Sequence, residues 1–372
     1  MMMTPLLPFN SLPPLPPASF VETSGLLKAV VQAERALAEL KGFCQTLPNP
    51  ALLINTIALQ ESKASSAIEN IITTNDELYQ AVMHSRQAEY FDEISDAAPA
   101  NAKEVLRYRQ ALYKGYYELQ QHGLLTTNVY ITIAQTIKNT NIGLRRTSGV
   151  CLKNPVTGEI VYTPPEGEEL IRAMLHDLER FIHDNNTGLE PLVRMALIHY
   201  QFEAIHPFVD GNGRTGRILM VLYLVQQGLL DMPVLFLSSF IIKHKAQYYE
   251  LLRAVTEREA WHEWCVFMVQ GVATTAQTTL EKIQQIRTTQ AEMTERAHVG
   301  MKRGFSRELI DIIFQHPYCK IQTLVERKIA QRQTASVYLQ DLVTLGILQP
   351  MKIGREIYFV NTALMQILGD GD

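Results

Sequence analysis

One stretch of twelve residues gathers the groups needed to handle a phosphate ester: His206-Pro207-Phe208-Val209-Asp210-Gly211-Asn212-Gly213-Arg214-Thr215-Gly216-Arg217. Gly211, Asn212 and Gly213 tolerate left-handed backbone, so successive N–H groups can turn toward one point. A helix is predicted to start there, and its free first N–H groups add positive potential. Arg214 and Arg217 stand three apart, which puts them on one helix face and within reach of one phosphate chain. Asp210 would repel a bare phosphate, but it suits Mg²⁺. His206 can accept a proton near neutral pH. Phe208 is expected to turn into the core and fix the loop.

Two other chemistries share some of these residues. Gly211, Gly213 and Gly216 spell the dinucleotide fingerprint, with Asp231 at a suitable distance. That fingerprint must follow a β-strand, whereas the residues before His206 have helical period. No GxxxxGK[ST] phosphate loop occurs in the chain. His199 and His206 are seven apart with no third ligand in an obvious pattern, so His199 is expected to be a hydrogen-bonded core residue.

The stretch resembles the signature of Fic-domain proteins, His-x-Phe-x-Asp/Glu-Gly-Asn-Gly-Arg-x-x-Arg, with every fixed position present: His206, Phe208, Asp210, Gly211, Asn212, Gly213, Arg214 and Arg217. Ser65-Ser66-Ala67-Ile68-Glu69-Asn70 is similar to the family's inhibitory motif, Ser/Thr-x-x-x-Glu-Gly/Asn, here placed ahead of the catalytic core. The resemblance implies transfer of AMP from ATP–Mg²⁺ to a Thr, Tyr or Ser hydroxyl of a target protein, or of the enzyme itself. His206 would take the hydroxyl proton, and Asp210 would hold the metal. The backbone of Gly211 to Gly213, with the Asn212 side chain, would steady the phosphates; Arg214 and Arg217 would take the β/γ end. Thr215 and Gly216 complete the ATP-binding segment. Glu69 would pair with Arg217 and spoil the ATP pose. Of Tyr248 and Tyr249, the resemblance implies Tyr249 beside the adenine; the plainer expectation is one tyrosine in the core and the other on the rim. Related activities would use similar residues: transfer of phosphocholine, UMP or phosphate, or removal of AMP.

These residues need a mainly α scaffold to hold them. Residues 4–17 are proline-rich and therefore extended, expected to form a strap over the domain. From about Ser24 to Gln121 the pattern is helical, with Leu26, Val30, Ala33, Leu37 and Leu40 at three- and four-residue spacing. Ser62 to Ile71 is expected to form a short helix. Val150-Cys151-Leu152 and Ile160-Val161-Tyr162 flank Asn154-Pro155-Val156-Thr157-Gly158, which predicts a β-hairpin. In the Fic family a flap in this place pairs with the target backbone, a mode of strand addition. Glu166, Glu168 and Glu169 open the next helix, where negative charge suits the dipole. Leu192, Met195, His199 and Phe202 share a face; Ile218 to Val225 is apolar all round and predicts a fully buried helix. Helix continues to about Arg287, and the polar stretch Thr288 to Arg303 is expected to link two domains.

In the tail, Leu309 to Phe314, Ile321 to Lys328 and Thr334 to Leu345 predict three short helices. Ile347-Leu348 and Ile357 to Val360 then predict a hairpin joined through Lys352 to Arg355. This resembles a winged helix-turn-helix. The expected division is an N-terminal helical region with the inhibitory helix (1–110), a Fic-fold helical core with a hairpin flap (111–290) and a small winged-helix-like domain (291–372), a layout similar to the SoFic type.

Composition sets the partner classes. At 47% hydrophobic and 19% charged, the chain of 372 residues suits a globular protein with a sizeable core. A net charge of −4 argues against bulk attraction to polyanions. No apolar run reaches the roughly 18 residues of a membrane span, and the N-terminus lacks the basic region of a secretory signal. The four scattered cysteines include no CxxC pair, so a cytoplasmic, reducing setting is expected. Between Met301 and Arg355 nine Lys or Arg face four acids, a net of +5 that raises the alternative of a DNA-binding regulator. The predicted recognition helix holds few long polar readers beyond Gln333 and Gln340. Protein contact or homodimerisation is therefore the favoured role for the tail.

Overall fold

The computed structural model describes residues 6–47, 50–85, 94–153, 157–301, 304–353 and 356–369. Helices dominate. The N-terminal part holds α1 (Ser24–Gln45), α2 (Pro50–Ile68), α3 (Asn75–His84), α4 (Ala100–His122) and α5 (Thr127–Lys138). The hairpin β1 (Leu152–Lys153) and β2 (Ile160–Tyr162) follows, then α6 (Glu168–His183), α7 (Pro191–Ile205), α8 (Asn212–Gln226), α9 (Leu237–Lys243), α10 (Lys245–Arg258) and α11 (Trp261–Gly300). The tail folds as α12 (Arg307–Gln315), β3 (Tyr318–Cys319), α13 (Ile321–Glu326), α14 (Arg332–Thr344), β4 (Gln349–Ile353), β5 (Glu356–Val360) and α15 (Thr362–Gly369).

The centre of the molecule is the pair α7 and α8. From Leu192 to Phe202 every residue of α7 is buried, and so is every residue of α8 from Arg214 to Val225. Burial on all sides explains why α7 lacks the one-faced pattern read from Leu192, Met195, His199 and Phe202. It has neighbours on every flank: α6 and α11 pack on it together with α8. Trp264 of α11 is fully buried, stacks on His199 and donates its indole N–H to the Ala196 carbonyl at 2.8 Å. His199 is thus a core residue hydrogen-bonded to the Tyr248 hydroxyl at 2.8 Å, as its isolation in the sequence implied.

The proline-rich segment is a strap. The Phe9 N–H donates to the Thr163 carbonyl at 3.0 Å, the Glu166 N–H to Asn10 Oδ1 at 3.0 Å, and Gln201 Nε2 to the Pro13 carbonyl at 2.9 Å. Phe9 also meets Tyr162 edge to face. The strap therefore braces β2 from behind and ties it to α7.

Several elements differ from their sequence pattern. The short helix expected over Ser62 to Ile71 is the last part of a longer one, α2, which ends at Ile68; Asn70 adopts a left-handed φ of 62° and turns the chain away. The expected linker from Thr288 is instead the continuation of α11. Its polar residues form the exposed side of an amphipathic helix, while Ile283, Ile286, Met293 and Ala297 are buried beneath. In the flap, β2 keeps its expected span, whereas β1 is Leu152–Lys153 rather than Val150 to Leu152, and residues 154–156 of the predicted turn lie outside the described residues. The tail has its three helices. Its strands are ordered β3-β5-β4, with β4 starting at Gln349 rather than Ile347; Gly354 and Arg355 lie outside the described residues.

The tail grips the N-terminal helices. α12 packs on α2, and β3 on α3. Tyr318 stacks on Tyr79, with ring centroids 5.8 Å apart, and its hydroxyl donates to Asp76. Lys320 and His84 share the carboxylate of Glu356. Replacing Trp264 by Ala should destabilise the fold by about 3–5 kcal/mol, from the cavity left behind α7. A urea titration followed by far-ultraviolet circular dichroism would read this; a loss under about 1 kcal/mol would contradict the packing.

Candidate active site

The signature loop joins two buried helix ends. α7 ends at Ile205, and His206 caps it in the left-handed region, φ 49°, with its N–H on the Phe202 carbonyl at 3.0 Å. Phe208 is fully buried beside Phe202, which fixes the loop as expected. Gly211, φ 88°, caps the start of α8 in a conformation that a side chain would strain. Asn212 closes the loop from inside: its Oδ1 accepts the Phe208 N–H and its Nδ2 donates to the Phe208 carbonyl, both at 2.8 Å.

Asn212 is 2% exposed, and its side chain is engaged with the Phe208 backbone, where it braces the loop. Thr215 is likewise turned inward; its hydroxyl donates to the Gly211 carbonyl four residues back. Gly216 is a close-packing glycine, where a Cβ would collide with Glu203 and lie 3.1 Å from the Phe202 ring. Arg214 and Arg217 do not converge. Arg214 pairs with Glu104 of α4 at 2.8 Å and lies 3.8 Å from Asp210, whereas Arg217 turns toward α2.

Arg217 is 1% exposed and held by three groups from one segment. Its Nε donates to Ser65 Oγ at 2.7 Å, and its Nη2 to the Ser65 carbonyl at 2.9 Å and to Glu69 Oε1 at 2.8 Å. The Ser65 carbonyl is available because α2 stops within the next turn, leaving its last carbonyls without helical donors. A Cβ on Gly213 would collide with Glu69 Oε1. The Glu69 carboxylate therefore rests on the first turn of α8, where free N–H groups and the helix dipole favour an anion.

A cavity of about 760 Å³ opens beside this pair. Glu69, Arg217, Gly213 and His206 line it, with Leu152, Lys153, Val161 and Tyr162 of the flap and Tyr249 of α10. Tyr248 is buried and Tyr249 is half-exposed at the cavity, the arrangement of one core and one rim tyrosine. Asp210, Gly211, Asn212, Arg214, Thr215 and Gly216 are not among its lining residues.

The electrostatics separate the titratable groups. Burial and the neighbouring Arg145 charge push the His206 imidazole down to about 4, so it is neutral at physiological pH. Burial pushes the Glu203 carboxyl up to about 8, against the lowering pull of Arg217. For Asp210, burial raises the carboxyl, but the hydrogen bond and charge of Lys138 outweigh it and hold it below its ordinary value. Asp210 is 61% exposed and ion-paired to Lys138. Among the described residues no three His, Cys, Asp or Glu side chains cluster to hold a metal by themselves. One exposed carboxylate beside an anion cradle fits Mg²⁺ that takes its other ligands from phosphates and water.

Spacing in the sequence did not disclose Arg145, Glu203, Lys138 or Glu104. Glu203 carried the one available signal, since a position three before His206 lies on the same side of α7.

Comparison with known proteins places three family models on the chain. The Fic/DOC family N-terminal model matches residues 27–117, the Fic/DOC family model 99–224, and the model for the C-terminal domain of SoFic-like protein adenylyltransferase 289–364. The chain is 34% identical over 89 residues to protein adenylyltransferase fic-1 of Caenorhabditis elegans, a stretch covering 24% of this chain and 16% of that protein. It is 34% identical over 94 residues to protein adenylyltransferase Fic of Drosophila melanogaster, covering 25% of this chain and 18% of the relative. The match thus spans less than a fifth of the length of these curated relatives. In fold, the chain is similar to a Fic family protein from Desulfovibrio desulfuricans G20, with TM-score 0.57 and 16% identity over 92% of this chain and 97% of that one. Fic-1 from C. elegans superimposes with TM-score 0.52 and 20% identity, over 72% of this chain and 76% of its own.

Asn212→Ala should lower stability by about 1–3 kcal/mol, because it strands the buried N–H and C=O of Phe208; a urea midpoint equal to wild type would refute that bracing role. The His206 Cε1–H resonance should titrate with a midpoint of about 4 in the free protein. A midpoint near the ordinary 6.5 would contradict the environment described here.

Proposed function

The chain belongs to the Fic/DOC family, and on that premise we propose that it is a protein adenylyltransferase, moving AMP from ATP to a target-protein hydroxyl, with Glu69 holding it in check. The observation that carries the reading is the seat of the Glu69 carboxylate. It lies on the first turn of α8, paired with a buried Arg217, in a cavity that also opens on His206. An anion site occupied by the protein's own carboxylate is an anion site that another ligand must contest.

With Glu69 withdrawn, the triphosphate would take its place. The N–H groups of Asn212, Gly213 and Arg214 precede the first intrahelical bond of α8, which runs from Thr215 to Gly211, so they are free to meet phosphate oxygens. Arg217 would exchange one carboxylate for the γ end of the nucleotide. Arg214, locked to Glu104, supports Asp210 from behind instead of reaching the same phosphate. Asp210 would hold Mg²⁺ once Lys138 is displaced, and the ion would neutralise charge on the α- and β-phosphates. Tyr249 stands at the cavity rim, placed to flank the base.

His206 then does the proton work. Being neutral, it can accept the proton of a Thr, Tyr or Ser hydroxyl as that oxygen attacks the α-phosphorus. One O–P bond forms, the bond to the β-phosphate oxygen breaks, and pyrophosphate leaves. The flap strands β1 and β2 line the same cavity, a position suited to pairing with a target backbone. Position and charge supply most of the rate in such transfers.

Incubation with ATP labelled at the α-phosphate should leave label on protein, while γ-label should be released. Retention of γ-label instead would make this a kinase-type transfer. Glu69→Gly should raise AMP transfer about 5–150-fold, the range of a typical coupling energy. His206→Ala in the Glu69→Gly background should keep ATP binding by calorimetry and lose about 10²–10⁴-fold in rate. Unchanged or lower transfer by Glu69→Gly would remove the inhibitory role.

A further inference from the structure

Arg145 is a buried cation that no feature of the signature announces. It lies on the loop between α5 and β1 and is 2% exposed. Its Nε donates to the His206 carbonyl at 2.7 Å. Its Nη2 donates to the Ile205 carbonyl at 3.3 Å and also to the Pro165 carbonyl. Its own backbone N–H donates to the Pro207 carbonyl at 2.9 Å. Four acceptors therefore converge on one residue, and three of them are the consecutive carbonyls of Ile205, His206 and Pro207. These carbonyls lie where α7 ends and the chain turns left-handed, so no helical donor can reach them. The fourth belongs to Pro165, three residues past the end of the flap strand β2.

We propose that Arg145 is a positioning residue for transfer: it holds the left-handed His206 turn at the cavity and locks the flap exit to that turn. A non-glycine residue in the left-handed region is strained, and it persists only where its surroundings over-determine it. Arg145 supplies that determination, with the Phe202 carbonyl on one side and the Asn212 brace on the other. The same guanidinium joins the two parts that must meet in the reaction, the proton acceptor and the strand pair that lines the cavity. Among the described residues none of its hydrogen bonds reaches the first turn of α8, where the anion seat lies.

Its charge has a second consequence. Among the described residues Arg145 has no carboxylate within ion-pair distance, although Glu166 lies near enough to be felt. The groups whose charge or dipole acts on the His206 ring are Arg145 from the loop before β1, the Glu203 backbone from α7, Glu69 from the turn after α2, and Asp210 from the signature loop. Burial and Arg145 disfavour the imidazolium, and the other three favour it. Arg145 thus helps to keep the ring in the form that accepts a proton.

This inference rests on the transfer reaction proposed above, and its test separates the two. In the Glu69→Gly background, Arg145→Met should lower kcat about ten- to a hundredfold while the KM for ATP stays within about twofold. The His206 Cε1–H midpoint, read by NMR without substrate, should rise by about half a unit or more. Arg145→Lys keeps the charge but cannot span the same carbonyls; it should restore the midpoint and only part of kcat. A Met variant with kcat within about twofold of its parent and an unmoved midpoint would overturn the proposal. Should the Met variant not fold, a Lys variant with full kcat overturns it alone. If the Glu69→Gly parent transfers no AMP, the functional reading fails, and the NMR midpoints still decide whether Arg145 governs His206.

Discussion

A guanidinium buried to 1% exposure cannot be left without a partner, and the architecture around Arg217 follows from that constraint. Removing one member of a buried charge pair costs several kcal/mol, because the remaining charge has neither water nor counter-ion. Arg217 therefore needs an anion at all times. Glu69 provides it from within the chain, and the free N–H groups of α8 add to the demand for negative charge at the same point. A nucleotide triphosphate offers the same complement with more charge and more acceptors. On the proposed reading, inhibition and substrate binding are two solutions to one electrostatic requirement, which the Glu69 pair meets in the resting state.

The carboxylate that meets this requirement is held by an unusually well-anchored helix. Glu61, Ser65 and Glu69 recur every four residues along α2 and its end, so they share one face. Glu61 is fully buried and accepts from the Ser238 N–H at 2.9 Å and from the Tyr108 hydroxyl at 3.1 Å. Ser65 meets Arg217 directly. At the other end, α12 of the tail packs on α2, and Tyr318 grips α3. Only Glu69 stands past the helix end, on a turn closed by the left-handed Asn70. The body of α2 can stay in place while that turn moves, so freeing the anion seat requires little of the core to open.

His206, the proton acceptor of the proposed reaction, is set up by different means. His206 closes α7 at a point where three carbonyls in a row lack helical donors, and Arg145 answers all three. Its charge and the surrounding burial keep the imidazole neutral. Glu203, one turn earlier, is pushed the other way and holds its proton. Two neighbouring ionisable groups, displaced in opposite directions, are thereby both left neutral near pH 7.

How much of this was legible beforehand depends on whether the physics is local. The signature loop was readable in part: the left-handed Gly211, the buried Phe208 and the helix start at Asn212 follow from residue type over a few positions, whereas Asn212 and Gly213 are helical and the left-handed His206 was not foreseen. Likewise the apolar run Ile218 to Val225 predicted its own burial. Which side chains reach into the cavity was readable only in part: Glu69, His206, Arg217 and Tyr249 line it, and Arg214 does not. Arg214 and Arg217 share a spacing that suggests a common target, yet Glu104 of α4 draws one away and α2 draws the other. The Asn212 side chain bonds both the N–H and the carbonyl of Phe208, a use its place in the signature did not announce. Arg145 lies sixty-one positions before the carbonyl it holds, a separation that no periodicity encodes. Short-range backbone preference belongs to the sequence itself. The choice of partner for a buried charge or carbonyl is made only when distant segments are brought together, and here that choice separates the groups facing the cavity from those supporting them.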